Sequence, residues 1–349
     1  GIGIIGAGDF GQLHAKVYSE IEGAKIVGVA DIVESKAEKV ANMYGVEWYK
    51  DYHKLLERED LDAVSITTTE PYHRDPTVAA AEAGKHILVE KPLATTLKDC
   101  DDIIRAARKT GVILTVGFEN RFLTDYLYVK QYLQSGALGD LLFVFSRMCT
   151  NKGTARMVKN RVTGERFGSE ILEEDIHDID AILWWVNNPV RKVYAECVAR
   201  HLVREMPYVE DGWVVTVRFE NGAVAILESN WVLPEKNTLW QKPNAWLKWC
   251  DDQRYEIIGS EGAVYLDHFP TRIYACDNEG WKFPFVWETY TPDMYGEIDG
   301  ALKRELTHFV KCVKNEKTLV GATGEDGRKA VQLALAAIES AEEGRPVLL

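Results

Sequence analysis

Residues 2–11, Ile-Gly-Ile-Ile-Gly-Ala-Gly-Asp-Phe-Gly, decide how the first part of the chain folds. The apolar run Ile2–Ile5 predicts a strand, and the G-x-G-x-x-G pattern that follows it opens a helix, the context that a dinucleotide site requires. Gly6 permits the tight turn, Gly8 lets a pyrophosphate approach the backbone, and Gly11 lets helix and strand pack closely. The stretch therefore predicts a dinucleotide-binding turn, the alternative being a glycine-rich turn in some other α/β protein.

Two further features of this region indicate which dinucleotide would bind. Asp9 and Phe10, within the glycine pattern, are expected to contact the cofactor, and the helix predicted over Gly11–Glu20 offers free N–H groups and partial positive charge that favour phosphates. Asp31 stands twenty residues beyond Gly11, where a carboxylate accepts hydrogen bonds from the adenosine ribose and repels a 2′-phosphate. Ile32 and the two residues after it include no Arg or Lys that could pair with a 2′-phosphate. The expected cofactor is NAD rather than NADP.

The rhythm of the sequence divides the chain into two parts. Residues 1 to about 120 alternate short apolar runs with amphipathic stretches, which predicts a parallel, doubly wound sheet with helices on both faces. Beyond them, runs of strands flanked by helices predict an α+β domain built on an antiparallel-rich sheet. One strong helix is predicted from about Ser169 to Val186, and the Asn221-Gly222 pair favours a type I′ hairpin turn. We expect domains over residues 1–120 and 121–349.

Composition excludes several classes of protein. The 349 residues contain 41 Lys plus Arg against 54 Asp plus Glu, and the formal charge of -13 repels nucleic-acid backbones. No run of about 18 apolar residues predicts a membrane span, and no secretory signal is visible. Six cysteines are scattered without C-x-x-C spacing, which favours reduced, mostly buried thiols and a cytoplasmic location.

A second motif carries a family resemblance. Residues 84–94, Gly-Lys-His-Ile-Leu-Val-Glu-Lys-Pro-Leu-Ala, resemble the G-K-H-x-x-x-E-K-P motif of the glucose-fructose oxidoreductase / inositol dehydrogenase (Gfo/Idh/MocA) family. The similarity extends over nearly the whole chain. It includes the glycine turn, Ile66-Thr67-Thr68 before His73, Gly117-Phe118, Asn120-Arg121-Phe122, the stretch from Gly168 to Asp180, Gly259-Ser260-Glu261-Gly262, and Gly324-Glu325-Asp326-Gly327-Arg328.

The resemblance implies an architecture and a reaction. It implies a Rossmann domain followed by an α+β domain with a large, mostly antiparallel open sheet, against which many family members pair their subunits. A homodimer or homotetramer is therefore expected, and the last helix could pack back on the first domain. The usual reaction of the family moves a hydride between nicotinamide and a secondary alcohol or ketone, often on a sugar or cyclitol.

The resemblance also assigns residues around the cofactor. It implies that Thr67, Thr68, His73, Glu90 and Lys91 line the NAD site and that Lys91 takes part in the chemistry. A lysine after an apolar strand is otherwise usually a surface cation whose stem packs along apolar groups. Proline after this lysine restricts the backbone at the point where strand becomes loop.

An acidic segment around His177 is the other candidate for chemistry. On one helix, Glu173 and His177 would be i,i+4 neighbours, and His177 and Asp180 i,i+3 neighbours. Spacing alone favours a solvated acidic helix with an incidental histidine. The resemblance instead implies a substrate pocket lined by His177, Asp180 and Glu173, although Glu173 stands where related members usually have Asp. Asp175 stands where many others have Gly.

The proposed chemistry is oxidation of a secondary alcohol, in which a positioned base removes the hydroxyl proton while hydride leaves carbon. We expect His177 to be the base and Lys91 to donate a hydrogen bond to the reacting oxygen; the reverse assignment stays open. No second histidine pair or cysteine cluster accompanies Glu173 and His177, so no metal is expected.

Two segments could tune specificity. Asn151–Arg166 is polar and basic and is expected to be a solvated loop, with a cap over the pocket as the alternative. The second segment contains Trp240, Trp246 and Trp249, which we expect to form a contact between subunits. The alternative is that their rings stack on a sugar. Two other functions stay open: an NAD-dependent glycosidase that oxidises its sugar transiently, and a non-catalytic NAD-sensing module.

Overall fold

The computed structural model describes residues 1–161, 169–233, 252–269, 275–277, 280–282, 298–317 and 321–349. These residues form two compact units. The first contains residues 1–123 and the described part of 288–331, and the second contains the described part of 124–287 together with 332–349. A doubly wound parallel sheet in the first unit and a mostly antiparallel sheet in the second confirm the predicted fold class.

The first unit is built on a six-stranded parallel sheet in the order β3-β2-β1-β4-β5-β6. β1 pairs with both β2 and β4, so the strand order reverses there and leaves the crevice in which α/β proteins bind ligands. The short third strand was not predicted, because it is an exposed edge strand without an apolar run. The strands are β1 (Ile2–Ile5), β2 (Ile26–Ala30), β3 (Glu47–Tyr49), β4 (Ala63–Ile66), β5 (His86–Glu90) and β6 (Leu114–Gly117).

Five helices connect these strands and bury their apolar faces. The core that β1 shares with the first helix includes Ile4, Val17 and Tyr18. The regular apolar periodicity of these helices accounts for the amphipathic stretches that the sequence predicts between the strands. The helices are α1 (Asp9–Ser19), α2 (Glu34–Tyr44), α3 (Tyr52–Leu56), α4 (Arg74–Glu82) and α5 (Leu97–Thr110), with 3-10 turns at Glu70–Tyr72 and Glu119–Phe122.

The second unit is built on a seven-stranded sheet in the order β12-β11-β7-β10-β9-β8-β15. β7 and β10 pair in parallel, and the other pairs are antiparallel. A separate ribbon pairs β13 with β14. The strands are β7 (Leu141–Asn151), β8 (Val190–Val198), β9 (Gly212–Phe219), β10 (Val224–Leu233), β11 (Asp252–Gly259), β12 (Ala263–Phe269), β13 (Ala275–Asp277), β14 (Gly280–Lys282) and β15 (Val347–Leu348).

The remaining helices follow residue 123 in the chain. None of the helices in the described ranges is long and apolar enough to cross a bilayer. The helices are α6 (Thr124–Gln134), α7 (Lys152–Arg161), α8 (Glu170–Glu173), α9 (Asp175–Val186), α10 (Ala301–Val313) and α11 (Gly324–Glu343), with a 3-10 turn at Leu202–Arg204.

The basic segment after Asn151 is a helix, so the expectation of a solvated loop is wrong over Lys152–Arg161. Asn151 Oδ1 accepts a hydrogen bond from the backbone N–H of Gly153, which starts the helix. Ala155 and Val158 are buried three residues apart in a small core with Trp231. Because basic residues surround Ala155 and Val158 in the sequence, the apolar spacing of a helix was not recognised there. The rest of the segment, with Arg166, lies outside the described residues, as do Trp240, Trp246 and Trp249.

Two local predictions also need correction. The helix predicted from Ser169 to Val186 is interrupted at Glu174, so Glu173 ends α8 and His177 lies on α9. The hairpin between β9 and β10 has a three-residue loop, closed by a hydrogen bond from Phe219 N to Ala223 O. Gly222 has φ of 93°, but Asn221 does not have the positive φ that a type I′ turn requires at both central positions.

Candidate functional site

The glycine turn after β1 has the shape that a pyrophosphate needs. Gly6 adopts φ of 101°, and a Cβ there would lie 2.6 Å from the carbonyl of Thr67. A Cβ on Gly11 would lie 1.9 Å from the carbonyl oxygen of Gly6. At Gly8 a Cβ would meet no atom within 4 Å in the described part of the chain, so its backbone faces open space. The turn is closed on the protein side and open at the start of α1, where a phosphate would sit.

Asp31 does more than the ribose contact that its position predicts. Its Oδ2 accepts a hydrogen bond of 2.6 Å from Ala7 N, and its Oδ1 accepts one of 2.7 Å from Val33 N. A carboxylate has about four acceptor positions, so capacity for two ribose hydroxyls remains. Asp31 thus ties the glycine turn to the end of β2. Ile32 follows it with 82% of its surface exposed. The residues present fit NAD.

Three polar residues lie at the end of β4 and just after it. Thr67 Oγ1 donates to the carbonyl of Gly6 at 2.7 Å, and Thr68 Oγ1 donates to that of Tyr72 at 3.1 Å. His73 is fully buried, with Nδ1 2.8 Å from the carbonyl oxygen of Pro92 and Nε2 3.0 Å from that of Thr68. Its ring therefore joins the end of β4 to the loop after β5.

The motif Glu90-Lys91-Pro92 forms the end of β5. Glu90 is 6% exposed, Lys91 is half-buried, and the Lys91–Pro92 peptide bond is cis. Oε2 of Glu90 accepts a hydrogen bond of 3.3 Å from the backbone N–H of Lys91. Lys91 thus lies at the carboxyl edge of the same sheet whose first strand leads into the glycine turn.

Sequence reasoning missed a buried polar chain behind this motif. His14 on α1 places Nε2 3.0 Å from Oε1 of Glu90, at the distance but not the angle of a hydrogen bond. Its Nδ1 lies 2.9 Å from Oγ of Ser65, which lies 3.3 Å from the hydroxyl of Tyr18. The available signal was a histidine and a tyrosine four residues apart on the inner face of α1, beside a serine in an apolar strand.

In the second unit, the predicted pocket residues are buried together on α8 and α9. His177 is 8% exposed and Asp180 is 2% exposed, at i,i+3 positions of α9. Glu173, 3% exposed, ends α8, so its approach to His177 is set by the break at Glu174 rather than by a continuous helix. These are not the side chains of a solvated helix.

Two carboxyl groups to which the sequence assigned no role hold α9 on its sheet. Asp175 Oδ2 accepts from Ser229 Oγ on β10 at 2.5 Å. Asp178 Oδ1 accepts from Ser146 Oγ on β7 at 2.8 Å and from the hydroxyl of Tyr255. Burial raises the pKa of Asp175 well above its ordinary value and raises that of Asp178, because it disfavours the charged form of each.

Two more acids extend this buried cluster. Glu170 is fully buried, and burial, reinforced by the nearby Asp175 and Glu210, raises its pKa well above the ordinary value. Burial raises the pKa of Glu210 to about 7. Within the described ranges, no group of three or more His, Cys, Asp or Glu has an arrangement suited to a metal ion.

The parallel sheet, the glycine turn at its switch point and the carboxylate at the end of β2 define a Rossmann dinucleotide-binding protein. Residues 1–118 match the family model described as "Oxidoreductase family, NAD-binding Rossmann fold", and residues 126–265 match that of the GFO/IDH/MocA C-terminal domain. The chain belongs to this family, as the resemblance predicted. It is an NAD-dependent oxidoreductase.

Similar proteins extend over the full length of the chain. A myo-inositol 2-dehydrogenase of Thermotoga maritima is 30% identical, over 100% of this chain and 98% of its own. A scyllo-inositol 2-dehydrogenase (NAD(+)) of Bacillus subtilis is 29% identical, over 99% and 95%. The crystal structure of scyllo-inositol dehydrogenase from Lactobacillus casei with bound NAD(H) and scyllo-inositol has a TM-score of 0.83 at 25% identity, covering 99% of this chain and 98% of that one.

Proposed function

We propose that the protein is an NAD-dependent dehydrogenase that transfers a hydride between nicotinamide and a secondary alcohol of a cyclitol of the inositol type. The observation that carries the proposal is that His177 and Asp180 are both buried on α9, the helix that packs on the second sheet. Lys91 lies at the carboxyl edge of the parallel sheet that bears the glycine turn. The full-length similarity to inositol dehydrogenases supports a polyhydroxylated ring as substrate.

Each residue has a definite task in this proposal. The glycine turn and the start of α1 bind the phosphates, and Asp31 accepts the ribose hydroxyls. NAD supplies the hydride acceptor when it is bound. Lys91 donates a hydrogen bond to the reacting oxygen, His177 removes its proton, and Asp180 and Glu173 orient the ring through neighbouring hydroxyls. The opposite division of labour, with Lys91 as the base, predicts the same variants to be inactive.

The proposal includes the roles of the two domains. Residues 1–120 bind NAD, and residues 121–349 bind substrate and pair subunits into a homodimer or homotetramer. Support for the pairing comes from the face of the second sheet that keeps Phe143, Val214 and Tyr265 exposed at 43%, 49% and 72%. The cytoplasmic location that the cysteine pattern favours stays a prediction.

The test is NADH formation from NAD⁺ with a panel of cyclitols, sugars and their glycosides, including myo-inositol and scyllo-inositol. We expect NADH with at least one cyclitol, little activity with NADP⁺, and loss of activity in Lys91→Ala and His177→Ala. His53→Ala is the matched control, because His53 is an exposed histidine on α3.

The other outcomes would replace the proposal. Sugar release from a glycoside without net NADH would indicate the glycosidase reaction. Tight NAD binding with no turnover of any compound would indicate an NAD-sensing module.

A further inference from the structure

The segment Glu90–Pro92 is held on two sides by buried imidazole rings. We propose that His73 and His14 are positioning residues, which fix the backbone on either side of Lys91 so that its side chain meets the reacting oxygen. The inference rests on the proposed role of Lys91. Each histidine has 0% of its surface exposed. In this inference His73 therefore acts through the segment Glu90–Pro92 rather than as the direct NAD contact that the family resemblance implies.

His73 holds the residue after Lys91. Its Nδ1 lies 2.8 Å from the carbonyl oxygen of Pro92, and its Nε2 lies 3.0 Å from that of Thr68. The backbone of His73 is in turn held at the start of α4, where Thr77 Oγ1 donates to its carbonyl oxygen at 2.5 Å. The loop that follows Lys91 is therefore tied to the end of β4 rather than left to its own flexibility.

His14 holds the residue before Lys91. Its Nε2 lies 3.0 Å from Oε1 of Glu90, while Oε2 of the same carboxylate accepts from the backbone N–H of Lys91. Ser65 Oγ, 2.9 Å from Nδ1, fixes the ring from the neighbouring strand β4. The carboxylate thus links the helix that begins at the glycine turn to the backbone of the catalytic lysine.

Packing alone does not explain these two rings. Burying a polar ring costs free energy unless its nitrogens find partners, and a leucine fills a similar volume without that cost. Both histidines instead direct a nitrogen at the same three-residue segment. A displacement of about 1 Å at a reacting group can cost about 10²-fold in rate, so rigid support of Lys91 has a direct kinetic value.

The experiment compares His73→Leu and His14→Leu with His14→Gln, whose amide keeps a donor and an acceptor. His86→Leu is the matched control: His86 is at the opposite end of β5, where its Nδ1 accepts from Ile113 N at 3.0 Å. With the cyclitol that the wild type oxidises, we expect the two leucine variants to lose about 10- to 10²-fold in kcat with little change in KM for NAD⁺. A larger deuterium isotope effect on kcat from ring-deuterated cyclitol should accompany the loss.

The glutamine variant should recover most of kcat, and His86→Leu should lose thermal stability but keep kcat. If His14→Leu fails to fold, Ser65→Ala serves in its place, because it removes the oxygen that lies 2.9 Å from Nδ1 of His14. Normal kcat and an unchanged isotope effect in folded His73→Leu, and in folded His14→Leu or Ser65→Ala, would overturn the inference.

A second readout separates this inference from the proposed function. Hydrogen exchange of a peptide spanning residues 88–93 should become faster in His73→Leu and His14→Leu than in His86→Leu, with or without a known substrate. If the wild type oxidised no cyclitol but the exchange pattern appeared, the proposed function would fail while the support of Lys91 stood. Equal exchange in all three variants would contradict that support.

Discussion

The two candidate regions satisfy their buried polar groups in different ways. Around β5, both ring nitrogens of buried His73 lie within hydrogen-bond distance of backbone carbonyl oxygens, and Glu90 accepts a hydrogen bond from Lys91 N. Nε2 of His14 lacks the angle of a hydrogen bond but still lies 3.0 Å from Oε1 of Glu90. Under α9, both carboxyl oxygens of Glu170 and one oxygen each of Asp175 and Asp178 lack a hydrogen-bond partner in the described part of the chain. The hydrogen bonds of the cofactor region hold its side chains in place before NAD binds. In the region of the predicted substrate residues, ionisation of the buried acids lowers the free energy of unfolding, so stability there depends on pH.

The largest effect is expected at the glycine turn. Gly11→Ala places a Cβ 1.9 Å from the carbonyl oxygen of Gly6, which the backbone cannot absorb without moving the turn. We expect a loss of about 2 kcal/mol or more in unfolding free energy and at least about 10²-fold in NAD⁺ affinity, measured by denaturant unfolding and calorimetry. Gly45→Ala is the control: a Cβ there is unfavourable because of its φ of 64° rather than a clash, and Gly45 ends α2 away from the turn. Unchanged NAD⁺ affinity in Gly11→Ala would contradict the preorganised turn.

The acid cluster should make stability depend on pH. The folded-state pKa of Glu210 is raised from 4.5 to about 7. The contribution of this residue to the free energy of unfolding is therefore fully present below about pH 4.5 and is lost as pH rises through about 7. Glu210→Gln should remove this loss and be more stable than the wild type at pH 8, by up to about 3 kcal/mol relative to their difference at pH 4. Unfolding by denaturant across that range measures it. Glu220→Gln, at an exposed site, should follow the wild-type profile. If the stability of Glu210→Gln changed with pH in the same way as that of the wild type, the proposed pH dependence of the acid cluster would be contradicted.

Removing the carboxylate of Asp31 should not switch the cofactor preference from NAD⁺ to NADP⁺. Asp31→Ala loses the hydrogen bonds to Ala7 N and Val33 N as well as the ribose contact, so NAD⁺ binding should weaken by about 2 kcal/mol without a gain for NADP⁺. Calorimetric titration with both cofactors measures this. Asp51→Ala, which removes a comparable cap from α3, should lose stability but not cofactor affinity. Tighter NADP⁺ binding by Asp31→Ala would show that the anchoring role is minor.

The smallest effect is expected where the acid cluster does have a donor. Ser229→Ala removes the hydroxyl bonded to Asp175 Oδ2 and should cost about 1 kcal/mol at neutral pH. Because that hydrogen bond lowers the pKa of Asp175, its loss should also shift the pH at which stability declines upwards. Thermal denaturation at several pH values checks both effects, and an unaltered profile would indicate that Ser229 does not hold Asp175.

Local patterns predicted one region better than the other. The glycine turn and Asp31 follow from residues close in sequence whose spacing is set by a strand and a helix. The break at Glu174 and the burial of Glu170 could not be predicted, because they depend on the anchoring of Asp175 and Asp178 to strands far along the chain. The support of Glu90 by His14 likewise joins elements that only the folded sheet brings together.

The most direct measurement of the central claim is isotope transfer from substrate to cofactor. Wild-type protein is incubated with NAD⁺ and ring-deuterated myo-inositol or scyllo-inositol, and the NADH formed is analysed by mass spectrometry. The account predicts deuterium in the NADH of the wild type and of the His53→Ala control, and none above background in Lys91→Ala or His177→Ala. Absence of labelled NADH from the wild type with both inositols and with other deuterated cyclitols would contradict it.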